Sequence, residues 1–79
     1  MNVVRNLSNP QGQPSAGRLW PVKTYDEAQT KITELVETAV EDGFVEDEKV
    51  RAKAEENHVE LRYLRHKDGR TMTIELLAQ

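Results

Sequence analysis

Residues 58 to 78 read HVELRYLRHKDGRTMTIELLA, two alternating runs on either side of Lys67-Asp68-Gly69-Arg70. Asp-Gly between such runs predicts a β-hairpin with strands over about 58–66 and 71–78, because both central positions of a type I′ turn require positive φ. With Asp68 and Gly69 as the two loop residues, Lys67 faces Arg70 and every other pair follows. Tyr63 then opposes Ile74, Leu61 opposes Leu76, Arg65 opposes Met72 and Val59 opposes Ala78 on one face. On the other, Arg62 meets Glu75, Leu64 meets Thr73, His66 meets Thr71 and Glu60 meets Leu77. This register joins an opposite-charge pair to several apolar ones, the combination that cross-strand energetics favours. It predicts an apolar face of Val59, Leu61, Tyr63, Met72, Ile74 and Leu76 that needs a partner, and it leaves Leu64 and Leu77 on the opposite side.

The partner lies earlier in the chain. Thr24 followed three residues later by Glu27 is a capping-box signature, in which the hydroxyl accepts a first-turn N–H and the carboxylate reaches back to the cap. Behind it Ala28, Ile32, Leu35, Val36, Ala39 and Val40 recur at helical spacing, and Gly43 stands where a left-handed terminating residue is wanted. A long capped helix over about 25–42 is expected. Phe44 and Val45 are expected to tuck beneath its end. Asp47 to Glu56 has helix-forming composition with a weak Val50/Ala54 pair, so a short second helix over about 47–56 is expected there; alternation of Val50, Ala52 and Ala54 with Arg51 and Lys53 is the strand alternative.

The amino-terminal third is less regular. Residues 8–17, SNPQGQPSAG, read as a flexible loop or linker. Val3 to Leu7 reads as an edge strand and Arg18 to Val22 as a second short one, with Pro21 restricting the latter to an edge or a strand end. An amino-terminal hairpin and an unstructured tail up to Gly17 both account for these residues. The fold class expected is a small single-domain α+β protein over residues 1–79, one long helix on an antiparallel sheet built from the carboxyl-terminal hairpin.

Composition limits the chemistry. The 79 residues contain no cysteine, which excludes disulfide scaffolds, thiolate zinc modules and cysteine nucleophiles. The longest apolar run, Leu76-Leu77-Ala78, is far short of a membrane span, and Met1 to Pro10 lacks a signal-peptide core, so a cytoplasmic protein with no membrane contact is expected. The net charge of -3 is unevenly spread. Residues 1–23 carry Arg5, Arg18 and Lys23 and no acid, whereas most of the acids fall in residues 24–57.

No catalytic constellation or phosphate-binding loop is present, and no cofactor or metal is expected. His58 and His66 lie at opposite ends of one expected strand, more than roughly 20 Å apart, too far to share a metal or a proton. A non-enzymatic protein is therefore expected. Leu19 and Trp20 are candidate contact residues if Trp20 does not close one end of the core. Leu64 and Leu77, surplus to the hairpin's apolar face, are candidates for covering by a partner, most simply a second copy in a homodimer. The basic hairpin tip, Arg62, Arg65, Lys67 and Arg70 with Tyr63 interleaved, is the candidate nucleic-acid contact. Glu34, Glu37 and Glu41 offer a third reading, an acidic surface that occupies a basic protein partner.

Overall fold

In the computed structural model, which describes residues 1–78, the carboxyl-terminal hairpin forms with one more residue in its loop than expected. The His66 N–H donates to the Arg70 carbonyl at 2.9 Å and the Gly69 N–H donates to the His66 carbonyl at 2.9 Å, so Lys67, Asp68 and Gly69 make a three-residue loop. Gly69 alone in it has positive φ, +99°, the left-handed residue that completes this type of turn. Asp68 stays at negative φ and acts through its side chain, accepting the Arg70 N–H at 2.9 Å. A side chain at position 69 is doubly penalised, since a Cβ there would stand 3.1 Å from Cβ of Pro10.

The added loop residue shifts the expected register by one. Strand β4 (Leu61–His66) and strand β5 (Thr71–Leu77) pair Leu61 with Glu75, Arg62 with Ile74, Tyr63 with Thr73, Leu64 with Met72 and Arg65 with Thr71. Because side chains alternate across a strand, that slip exchanges the faces of β4 relative to β5. Leu64, expected outside, is fully buried beside Met72 and Ile74, whereas Leu61 and Tyr63, expected inside, turn to the other face.

Helix α1 (Tyr25–Glu41) covers the inner face with Ala28, Ile32, Val36 and Ala39, and Leu35 packs at its flank. Thr24 caps it by accepting the Glu27 N–H at 3.1 Å, but the Glu27 carboxylate accepts from Lys23 N–H, one residue before the expected cap position. Val40 is 52% exposed. At 100° per residue it stands roughly 120° from Ala28, past the edge of the stripe. Beyond Gly43 (φ +102°), Phe44–Glu46 form β3, with Phe44 buried and Val45 pointing outward. Helix α2 (Glu48–Glu56) follows, capped by Asp47, whose carboxylate accepts from the N–H groups of Lys49 and Val50; the strand alternative is not adopted. α2 packs beside β4, whose remaining edge β3 leaves open.

Two further strands, β1 (Asn2–Ser8) and β2 (Pro14–Pro21), complete a sheet of order β2-β1-β5-β4-β3, antiparallel throughout. β1 is not an edge strand. It lies between β2 and β5, with Val3 fully buried. The loop expected over 8–17 shrinks to Asn9–Gln13, organised by the Asn9 side chain, which accepts the N–H groups of Gln11 and Gln13. β2 is the edge strand, as Pro21 requires. The Val22 N–H donates to the Met1 carbonyl, so even-numbered β2 residues bond inward and Pro21, with no N–H to give, faces outward.

Candidate interaction surfaces

The hairpin tip is neutralised by its own surroundings. Arg62 lies on the inner face and forms a two-pronged ion pair with Glu46, Nη2 standing 2.7 Å from Oε1; both side chains are mostly buried. That pairing raises the Arg62 pKa, with Glu48 and Glu55 of α2 adding to it. Arg65 pairs with Asp47 at 3.2 Å and lies over the Tyr63 ring. Arg70 pairs with Asp68 at 2.7 Å and covers Phe44. Donation of the Arg70 N–H, with its guanidinium beside it, holds the Asp68 carboxyl below its ordinary range. Of the four candidate nucleic-acid contacts, only Lys67 has no ion-pair partner among the described residues.

The histidines remain apart. His58 is exposed in the turn after α2, outside β4. His66 ties elements together: Nε2 is 3.1 Å from the Asp42 carbonyl at the end of α1, Nδ1 accepts the Asp68 N–H, and its ring meets Phe44 edge-on at 5.1 Å. Nδ1 also stands 3.0 Å from the Asp68 carboxylate. Among the described residues no group of three or more acidic or imidazole side chains is placed to hold a metal ion. No helix of the structure is long and apolar enough to cross a membrane. A shallow depression of about 390 Å³ between α1 and the sheet is lined by Leu35, Phe44 and Met72, with Arg5, Arg70, Glu41 and Asp42 contributing opposite charges.

The four candidate interaction residues separate. Leu64 is core, closed off by α1. Leu77 and Leu19 are 41% and 51% exposed on the sheet face that α1 does not cover. There they join residues that the expected register hid or overlooked: Val4, Leu61 and Tyr63, all half-buried, and Val45. Across the strands Leu19, Val4, Glu75 and Leu61 form one row, and Gly17, Asn6, Thr73 and Tyr63 the next. No residue of this outer face is buried.

Trp20 faces the other way, to the side of α1, and is half-buried outside the main core. Three cations surround its ring: Arg18 at 4.8 Å, Arg5 at 5.4 Å and Lys31 at 5.7 Å from the centroid. The sequence signal for two of these cations, Arg5 and Arg18, was the acid-free stretch 1–23; Lys31 comes from α1. Register places Arg5 directly opposite Arg18. Comparison of the chain with protein-family models, curated proteins and solved structures finds no match.

Proposed function

We propose that this protein is a small, non-enzymatic interaction module that associates with a second copy of itself through the outer face of its sheet. The observation that carries this reading is the face's composition. Its only charged side chains are Glu75 and Arg65, in a chain of which 32% is charged, and Val4, Leu19, Leu61, Tyr63 and Leu77 supply apolar surface around Glu75 and the polar Asn6 and Thr73. The outward positions of a solvated antiparallel sheet are usually polar, and exposed apolar side chains that gather on one face mark an interaction surface.

A two-fold contact suits this surface. Glu75 has no ion-pair partner among the described residues, and Arg65, the one cation on the face, is exposed but already pairs with Asp47, so a two-fold contact that sets Glu75 against it shares that cation between two carboxylates. Strand spacing and rise give the face an area of roughly 500 Å². Two copies would therefore bury about 1,000 Å², the lower end of specific interfaces, which fits a reversible dimer better than an obligate one. The hairpin tip supports nucleic-acid contact less well, since three of its four cations already hold carboxylates.

Sedimentation of the whole chain from micromolar to millimolar concentration tests the proposal. Mass is expected to rise from one copy towards two, and Leu61→Lys, which sets a charge into the face without touching the core, is expected to hold the chain at one. A wild-type monomer throughout, or a dimer indifferent to Leu61→Lys, overturns it.

A further inference from the structure

The two sheet edges are finished differently. β3 is three residues long, and α2 lies along the rest of β4, whereas β2 runs eight residues with every residue except Trp20 exposed. The alternation fixed by the Val22 to Met1 bond turns the N–H and C=O groups of Gly17 and Leu19 outward. That backbone is an open template for another strand.

The side chains beside this edge carry an unusual charge pattern. Arg5 and Arg18 stand directly opposite each other across β1 and β2, an arrangement that costs stability because like charges repel at cross-strand distance. Neither has a carboxylate partner among the described residues, and Nε of Arg5 is buried with no hydrogen-bond partner. Lys31, the third cation on Trp20, is partly engaged by Glu34 at 3.2 Å. On the outer side of the same strand Leu19 is apolar and exposed.

We propose that β2 binds an extended acidic peptide as a sixth strand, with carboxylates at alternate positions on the side of Arg18 and apolar residues on the side of Leu19. Backbone hydrogen bonds to Gly17 and Leu19 supply the strand-addition contact, and the alternating side chains supply selectivity. A carboxylate beside Arg18 removes the repulsion that the free protein carries. A second copy of β2 suits the edge poorly: antiparallel pairing about Gly17 sets the two Arg18 side chains diagonally adjacent, roughly 7–8 Å apart, with no acid between them. This site shares Leu19 with the outer face but uses the open backbone edge of β2 and Arg18 on the opposite side, and it does not depend on self-association there.

The test is a titration of the whole chain, followed by backbone amide NMR, with a blocked octapeptide alternating valine and glutamate, its valine–lysine counterpart, and a single-stranded oligothymidylate. The glutamate peptide is expected to bind at least about tenfold more tightly than the lysine peptide, with the largest shifts at Gly17 and Leu19. Arg18→Glu is expected to reverse that preference. Leu19→Pro removes an outward N–H, as Pro21 already does, and is expected to weaken binding about tenfold or more. Should Leu19→Pro fail to fold by circular dichroism, the Arg18→Glu reversal decides. Equal affinity for the two peptides, binding of neither, shifts centred on Leu61 and Tyr63, or preference for the oligothymidylate overturns the proposal.

Discussion

His58 is the one non-glycine among the described residues with positive φ, at 58°, and its position explains why. The His58 N–H donates to the Glu55 carbonyl and the Val59 N–H to the Ala54 carbonyl, the paired bonds of a Schellman motif whose left-handed position glycine fills best. Histidine there bears a backbone cost that glycine avoids. His58→Gly is expected to raise stability by about 0.5–1 kcal/mol, measured by urea unfolding; a loss would mean that the imidazole makes a contact worth more than the strain. Asp68 makes a second prediction at this scale. Its carboxyl titrates below the ordinary aspartate range in the folded chain, so its contribution is complete above the unfolded pKa near ~4 and is lost as pH falls through the lower folded value. The stability gap between wild type and Asp68→Asn is expected to shrink on acidification. A gap independent of pH would remove Asp68 from the turn's electrostatics.

At the scale of elements, α1 was legible from its own start signal, Thr24, and a stripe that repeats at helical period, whereas α2 was legible from helix-forming composition and the Val50/Ala54 pair, with its cap Asp47 counted inside it. The hairpin's existence was equally legible. Its register was not, and the reason lies in β4: Leu61, Tyr63 and Leu64 put apolar side chains on both faces, so alternation alone does not say which face is inner. Lys67-Asp68-Gly69 closes a two-residue loop with both Asp68 and Gly69 left-handed, or a three-residue loop with Gly69 alone left-handed. The second spares Asp68 a strained φ and keeps its carboxylate for Arg70. The site residues followed the same error, with Leu64 offered as a contact and Leu61 and Tyr63 withheld. Truncation separates the registers energetically: Leu64→Ala is expected to cost about 2–5 kcal/mol and Leu61→Ala under about 1 kcal/mol when both are measured on the monomer at high dilution. Equal costs would contradict the burial described.

For the molecule as a whole, one added loop residue decides which surface is offered outward. It brings Leu64, Met72 and Ile74 together beneath α1, sets Arg62 against Glu46, and leaves Leu61 and Tyr63 on the same face as Val4 and Leu19, across β5 from them, with few charges. β2, expected to be short or absent, extends that face and places Arg18 opposite Arg5, neither of which local patterning displays, because cross-strand neighbours are fixed by pairing and not by sequence proximity. Both interaction proposals use side chains whose direction the ladder sets. The register of β4 against β5 is thus the central structural claim, and cross-strand nuclear Overhauser effects test it most directly. In an antiparallel ladder, Hα atoms approach closely at the pairs that do not exchange hydrogen bonds. The bonds from Leu76 N–H to the Glu60 carbonyl and from His66 N–H to the Arg70 carbonyl make Tyr63 and Thr73 such a pair. A strong Hα–Hα cross-peak between Tyr63 and Thr73 is predicted; its absence, with a cross-peak between Leu64 and Thr73 in its place, would contradict the fold and the outer face together.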